Sequence, residues 1–288
     1  MFENMNVAID PKSEWKTTTP LANTLQLPFY LLEWGHFIAF RNYFTERADS
    51  FRYLLFYTLS GCGKLVYEGR TYFLTPNAIA IIYCGTPHRY ETLQGEDWDF
   101  LWFHYNGSAA ASYYKLYNEE ELFLYEISPG SREADLVRKI TSCPGGYSFE
   151  KDLVMNQWIL DLMTLCILSK RKTICQQSPA LTEKLKTALD YMTEHLKEKI
   201  TISDISHSVY LSQYHFQRLF KKQTGVAPYE YLIHLRINRA KDLLVSTNAG
   251  LEDIAASCGF SDSKNLIYNF KRIVHTTPNQ YRKEFSPG

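Results

Sequence analysis

The sequence predicts a two-part α+β chain, an all-β unit followed by an all-α unit, and three observations carry that reading. Short runs rich in Tyr, Phe, Ile, Leu and Val, punctuated by Gly and Pro, fill residues 27 to 105. Beyond Gly107 apolar residues recur at helical spacing. Residues 200 to 285 contain an internal repeat. With 288 residues, 45% of them apolar, the chain can bury a core in each of two domains.

The β reading rests on FRYLLFYTLSGCGKLVYEGRTYFL, AIAIIYCGTPHRY and WDFLWFHYNG. Gly61-Cys62-Gly63 and Glu68-Gly69-Arg70 separate apolar runs where glycine can take the positive φ of hairpin turns, so antiparallel strands in a small barrel or sandwich are expected. Helical spacing follows at Ala109 to Glu121 and then at Leu153, Gln157, Leu160, Met163, Leu165 and Leu168, with Cys143-Pro144-Gly145-Gly146 between them. Ser169 to Pro179 is charged, then polar, then ends in proline, which marks an interdomain linker. The expected domains are therefore 1–175 and 176–288. Two further helices are read at Leu181, Leu185, Leu189, Met192 and Leu196, and from just after Pro228 to about Thr247.

The formal charge is zero, but residues 1 to 179 hold 16 Lys+Arg against 20 Asp+Glu, and the rest hold 15 against 11. The excess of cations thus falls on the repeat. Six cysteines, at 62, 84, 143, 166, 175 and 258, form no CxxC pair and no metal-type spacing, which suits scattered thiols in a reducing compartment without disulfides. The start carries acidic residues and no apolar leader, and no window reads as a membrane span, so a cytoplasmic location is expected.

Within the repeat, Ile202-Ser-Asp-Ile205 lies over Leu251-Glu-Asp-Ile254 at an offset of about 49, and Phe216, Phe220, Pro228 and Tyr231 lie over Leu266, Phe270, Pro278 and Tyr281 at about 50. Each copy reads as a short helix, a tight turn and a second helix. Thr201-Ile-Ser-Asp204 has the form of a capping box, Gly259 falls at the turn, and Ser212 and Ser261 stand where a side-chain oxygen can cap the second helix. Apolar residues four apart face the module core. Tyr214, Gln217 and Arg218 lie on the remaining face of one helix, with Lys264, Asn265 and Tyr268 at matching places in the other. That face suits a major groove, where Arg meets guanine and Gln or Asn meets adenine; a polar face kept for solubility alone is the alternative. Lys221, Lys222, Lys271 and Arg272 trail behind, better placed for structure or phosphate.

The stretch from Leu211 to Arg282 resembles the DNA-binding domain of the AraC/XylS family of transcription regulators. The marks are the Leu-Ser opening, Arg218 to Lys222, Gly225, Pro228, Tyr231-Leu232, Leu235-Arg236, Ile254-Ala255, Gly259-Phe260, Phe270-Lys271, Pro278 and Tyr281-Arg282. The resemblance implies two helix-turn-helix units in successive major grooves, with base contacts from Tyr214, Gln217 and Arg218 and then Lys264, Asn265 and Tyr268. Leu266-Ile267-Tyr268 departs from the family pattern by lacking a cation, which shifts discrimination toward the first unit. His207 stands in a helix that usually runs through small residues and is read as a partly exposed structural residue.

The N-terminal part resembles, more loosely, the cupin-like sensor domain of the same family through Leu59 to Gly63, Tyr67-Glu-Gly69, Gly85 to Tyr90 and Trp98 to Tyr105. It implies a small β barrel that binds a small molecule, often a sugar, followed by dimerisation helices. Tyr90 and Trp102 match pocket positions of the family, and Arg47 lies near a pocket Arg. Tyr57 and His88 complete the expected effector set, with Tyr30 and Tyr83 weaker candidates, while Trp98 reads as core. Aromatic faces can pack on a sugar ring while Tyr, His and Arg meet its hydroxyls. A core aromatic cluster is the bland alternative.

An enzyme is not expected. His36, His88 and His104 are dispersed, and no catalytic constellation or phosphate loop stands out, so neither cofactor nor metal is called for. The expected function is a DNA-binding transcription regulator that answers to a small effector of carbohydrate metabolism. Its expected partners are double-stranded DNA, a second copy and RNA polymerase. The alternative keeps DNA binding but gives the β unit only dimerisation or a protein partner.

Overall fold

The computed structural model describes residues 3–48, 50–93, 96–118, 122–177 and 179–285. Its contacts separate into two units, Met1–Ile174 and Cys175–Gly288.

The first unit runs β1 (Glu3–Asn6), β2 (Glu14–Thr17), β3 (Tyr30–Ala39), β4 (Phe44–Arg47), β5 (Tyr53–Gly61), β6 (Gly63–Tyr67), β7 (Arg70–Leu74), β8 (Ala78–Tyr83), β9 (His88–Thr92) and β10 (Trp98–Asn106). Then come α1 (Ala110–Asn118), β11 (Tyr125–Glu126), α2 (Arg132–Thr141) and α3 (Phe149–Gln177). The strands form two antiparallel sheets, ordered β1-β4-β9-β6-β7 and β11-β8-β5-β10-β3-β2. This is the expected all-β unit, with edge strands β1 and β2 that the apolar-run reading did not find, because they carry mostly polar residues.

Alternation along the central strands builds two cores. On β10, Phe100 and Trp102 pack with Leu54 and Phe56 of β5 and with Leu65, Tyr67 and Tyr90 of the other sheet. Leu101, Phe103 and Tyr105 point the opposite way, to a second core completed by Val137 and Ile140 of α2 and Ile159, Leu162 and Cys166 of α3. The six-stranded sheet is therefore covered by the five-stranded sheet on one face and by helices on the other. Polar ties fix α3: Thr24 donates to Asp152 at 2.6 Å and the Phe29 amide to Asn156 at 3.0 Å.

Glu68 and Gly69 take φ of 50° and 73° and close the β6–β7 hairpin as expected. Gly61-Cys62-Gly63 is not a hairpin turn: β5 and β6 belong to different sheets, and the segment is the corner between them. Gly63 is required there because a Cβ would overlap the Trp98 ring.

The segment read as a linker is helical from Ser169 through Gln177, since Lys, Arg and Gln favour helix and no proline intervenes before Pro179. Ser169 donates to Glu133 at 3.0 Å, and Lys170 is buried, so its beginning belongs to the first unit. Residue 178 of that segment, and residues 119–121 of the expected Ala109 to Glu121 helix, lie outside the described residues. Contrary to the sequence reading, the helix over Phe149–Thr173 contains an 18-residue window long and apolar enough to cross a membrane by length and composition. One face of it fills the core just described; Leu153, Val154 and Leu168, on the rest, are exposed by 44, 41 and 56%.

The second unit runs α4 (Pro179–Glu194), α5 (Ile202–Ser208), α6 (Gln213–Thr224), α7 (Pro228–Ser246), α8 (Leu251–Ser257), α9 (Ser263–Val274) and α10 (Pro278–Phe285). α5 and α8 start 49 residues apart, and α6 and α9 start 50 apart, so the repeat in sequence is a repeat in structure. One core holds Ala188, Met192, Ile205, Phe216, Phe220 and Leu232; the other holds Ile237, Leu244, Ile254, Leu266 and Phe270. α7 serves both, giving Leu232 to the first and Ile233, Ile237, Ala240 and Leu244 to the second.

Candidate functional site

Local chemistry sets the entry of each second helix. Thr201 and Asp204 form the reciprocal capping box of α5. Ser212 caps α6 by accepting from the His215 amide. On α9 the cap is Asp262, not Ser261; its carboxylate accepts from the Asn265 amide at 2.7 Å while Ser261 donates to it at 3.0 Å. The inserted residue of the second copy moves the cap by one, and a carboxylate suits the positive helix end. Gly259 takes φ of 77° at the turn, and its counterpart in the first copy is Tyr210 at 54°, a left-handed residue that sequence reasoning missed.

All six expected reading residues are exposed: Tyr214, Gln217 and Arg218 on α6, and Lys264, Asn265 and Tyr268 on α9. Tyr214 and Tyr268 are open by 78 and 68%, although a tyrosine ring commonly buries its apolar body. Phe216, Phe220, Leu266 and Phe270 turn inward and hold each helix by its back. Lys221, Lys222 and Lys271 are exposed on the last turns. Arg272 is instead held by Glu230 of α7 at 2.8 Å, a structural tie between helices. His207 is exposed on α5, its Nδ1 3.5 Å from the Ser203 hydroxyl.

Both units of the repeat are braced by a buried or half-buried arginine. Arg236 donates to the carbonyls of Leu196 and Glu198, and Arg282 donates to those of Leu244 and Ala249. These carbonyls follow or end α4 and α7, where helix acceptors otherwise lack partners. Burial pulls the Arg236 guanidinium below its ordinary range.

The first unit carries a pocket between its sheets, lined by Arg47, Tyr90 and Trp102 together with Trp15, Glu33, Phe37, Tyr43, Thr45 and His104. Trp102 stands edge-on to Phe37 at 5.0 Å and to Trp15 at 6.1 Å. Gly35 opposite has no Cβ because one would strike the Glu14 carbonyl and approach the Trp102 ring. The Trp102 indole N–H is buried without an acceptor among the described residues. Arg52 pairs with Glu33 at 2.6 Å, and Arg47 points a guanidinium nitrogen at the Met5 sulfur, 3.8 Å away. The cavity enclosed by these residues is small, about 20 Å³.

Of the expected effector residues, Arg47, Tyr90 and Trp102 come together. His88 stands behind them, paired across the sheet with Arg47 and stacked on Tyr90 at 6.2 Å. Its Nδ1 lies 2.8 Å from the Thr86 carbonyl and so donates, leaving Nε2 a buried acceptor without a partner among the described residues. Burial, with the nearby Arg47 and Arg52 charges, lowers its pKa; the same causes hold His104 well below the ordinary imidazole range. Burial pushes the neighbouring Cys84 thiol up to about 12.

Tyr57 is removed from the effector set. On β5 it alternates with Leu54 and Phe56, so it faces the helix-side core under Arg138 of α2, its ring centroid 5.9 Å from the guanidinium. Tyr83 packs against that same core, and Tyr30 does not line the pocket. Trp98 is core, as expected, and its indole donates to Thr58 at 3.1 Å. Sequence reasoning missed Trp15, Glu33, Phe37, Tyr43 and Thr45. Alternation within β3 and β4 signals an inward face there, but not which positions meet a cavity.

Comparison with known proteins agrees with both units. Residues 205–284 match the helix-turn-helix domain model, and residues 34–126 match the AraC-like ligand binding domain model. The lactose operon transcription activator of Staphylococcus xylosus is 25% identical over 230 residues, covering 78% of this chain and 82% of the relative. The raffinose operon transcriptional regulatory protein of Pediococcus pentosaceus is 25% identical over 247 residues, covering 83% of this chain and 88% of the relative. Among solved structures, a transcriptional regulator from Chromobacterium violaceum with an AraC-type DNA-binding domain matches at 31% identity and a TM-score of 0.35, over 37% of this chain and 96% of that one. These domains belong to regulators and not to enzymes, and their order along the chain, a ligand-binding domain and then the paired helix-turn-helix units, makes this protein a member of the AraC family of DNA-binding transcription regulators.

Proposed function

We propose that the chain works in the cytoplasm as a homodimer, senses a small saccharide in the pocket of residues 1–175 and reads its operator through residues 176–288. Tyr214, Gln217 and Arg218 carry the first set of base contacts; Lys264, Asn265 and Tyr268 carry the second. The observation that carries the sensing is the buried Trp102 N–H in an aromatic pocket, without an acceptor among the described residues, because an orphaned donor costs stability unless something accepts from it. A sugar hydroxyl accepts, and the ring's apolar face matches Trp102, Phe37 and Trp15. Relatives named for lactose and raffinose operons support the same class. The exposed apolar residues of α3, Leu153, Val154 and Leu168, support dimerisation there. RNA polymerase is a further proposed partner and is assigned no surface.

The test is thermal melting against a panel of mono- and oligosaccharides, since a ligand of the folded state alone raises the melting temperature. A shift that disappears in Trp102→Ala supports the reading; no shift with any saccharide removes it. The small open volume favours a second reading, in which the β unit only assembles the dimer.

A further inference from the structure

On α9, Asn269 lies one turn beyond Asn265 and is 9% exposed. Its amide nitrogen donates to the Asn265 main-chain carbonyl and to Asn265 Oδ1, both at 3.0 Å. Its own Oδ1 accepts from Arg272 Nη2 at 3.2 Å, and Arg272 is clamped by Glu230 of α7 at 2.8 Å. The direction of this relay follows from donor chemistry. A guanidinium only donates, so the Asn269 atom facing Arg272 is oxygen. The Asn269 nitrogen then faces Asn265, and the atom it meets there must accept. Asn265 is thereby held with its oxygen against its own helix and its NH2 outward.

We propose that Asn269 is a positioning residue that makes Asn265 a one-sided reader, selecting base edges that accept hydrogen bonds. An unconstrained Asn pairs with adenine by using its oxygen and nitrogen together. With the oxygen committed, the outward NH2 favours guanine, which shows two adjacent acceptors, N7 and O6, over adenine, whose N7 acceptor stands beside an amino donor, and it disfavours cytosine, which shows only a donor. The inference rests on α9 being a DNA-reading helix.

The test is selection of bound duplexes from a randomised library by the full chain, with sequencing, for wild type and three variants checked first by melting. Wild type should prefer guanine over adenine by about five-fold or more at one position, the discrimination of a single good contact. Asn265→Ala should flatten that position alone. Asn269→Asp keeps the Arg272 contact but can only accept from Asn265, so the Asn265 amide turns over and the preference should move to adenine or cytosine. Asn269→Leu, of similar size, frees Asn265 and should admit adenine. If Asn265→Ala alters no position, Asn265 does not read DNA and the proposal fails, whereas the reading role of α9 then rests on Lys264 and Tyr268. If it flattens a position that Asn269→Asp leaves unchanged, the relay is wrong while the reading helix stands. An adenine preference in wild type also overturns the relay. Should Asn269→Asp not fold, Asn269→Leu decides, an unchanged profile refuting the proposal.

Discussion

Lowering the pH should loosen the N-terminal unit because of two buried imidazoles beside its pocket. His88 and His104 are each 3% exposed, and burial together with Arg47 and Arg52 disfavours their charged forms. Folded pKa values below the unfolded one mean that the unfolded chain binds more protons as pH falls. Stability is therefore intact above the unfolded pKa near 6.5 and is lost below it. From pH 7.5 to 5.5 an unfolded histidine takes up nearly one proton that a neutral buried one refuses, a difference of about 1.4 kcal/mol. His104, shifted furthest, contributes close to this value and His88 a part of it, so the unit should lose about 1.4 to 2.7 kcal/mol. The assay is built into the sequence. All five tryptophans, at 15, 34, 98, 102 and 158, lie in the first unit, so tryptophan emission during denaturant unfolding follows that unit alone. His104→Phe should recover at least half of the loss at pH 5.5. A midpoint that stays constant across this range, or a variant with the same decline as wild type, would refute the argument from buried neutral histidine.

Four further outcomes are expected. Arg218→Ala should cost about 1 to 3 kcal/mol on the operator and flatten one base position, whereas Lys222→Ala should weaken operator and random DNA alike, with a shallower salt dependence; equal losses on both DNAs for Arg218→Ala would withdraw the reading face. The segment 176–288, which carries its own two cores, should fold alone and bind operator more weakly than the full chain, as band-shift titration can measure; a cooperative melt without operator preference would count against it. Trp102→Phe should leave stability unchanged or raised, since it deletes a buried donor that lacks a partner among the described residues, and should reduce the saccharide-induced melting shift; a full shift would show that the indole N–H is not used. Leu153→Glu with Leu168→Glu should yield monomers in sedimentation at micromolar concentration, and an unchanged dimer would move the interface off α3.

The repeat was legible because helix-turn-helix geometry is local: caps, turns and four-residue spacing all act within one turn of helix, so Thr201, Ser212, Gly259 and the inward Phe216 and Phe270 can be read in order along the chain. Charge and amide chemistry on the outward face were equally visible. What the sequence alone could not decide were relations between strands and between helices. Tyr57 and Tyr90 are both tyrosines in apolar runs, yet one faces helices and the other the pocket, because Tyr57 lies on the helix-facing side of β5 and Tyr90 on β9 of the other sheet, turned inward. The cap of α9 moved to Asp262 through a single inserted residue, and Arg272 became a strut because α7 brings Glu230 beside it from 42 residues away. Sequence by itself determined the two kinds of unit and the face each reading helix shows. Tertiary structure decided which polar atoms meet, since a hydrogen bond depends on ångströms of approach that residue spacing does not carry across a loop.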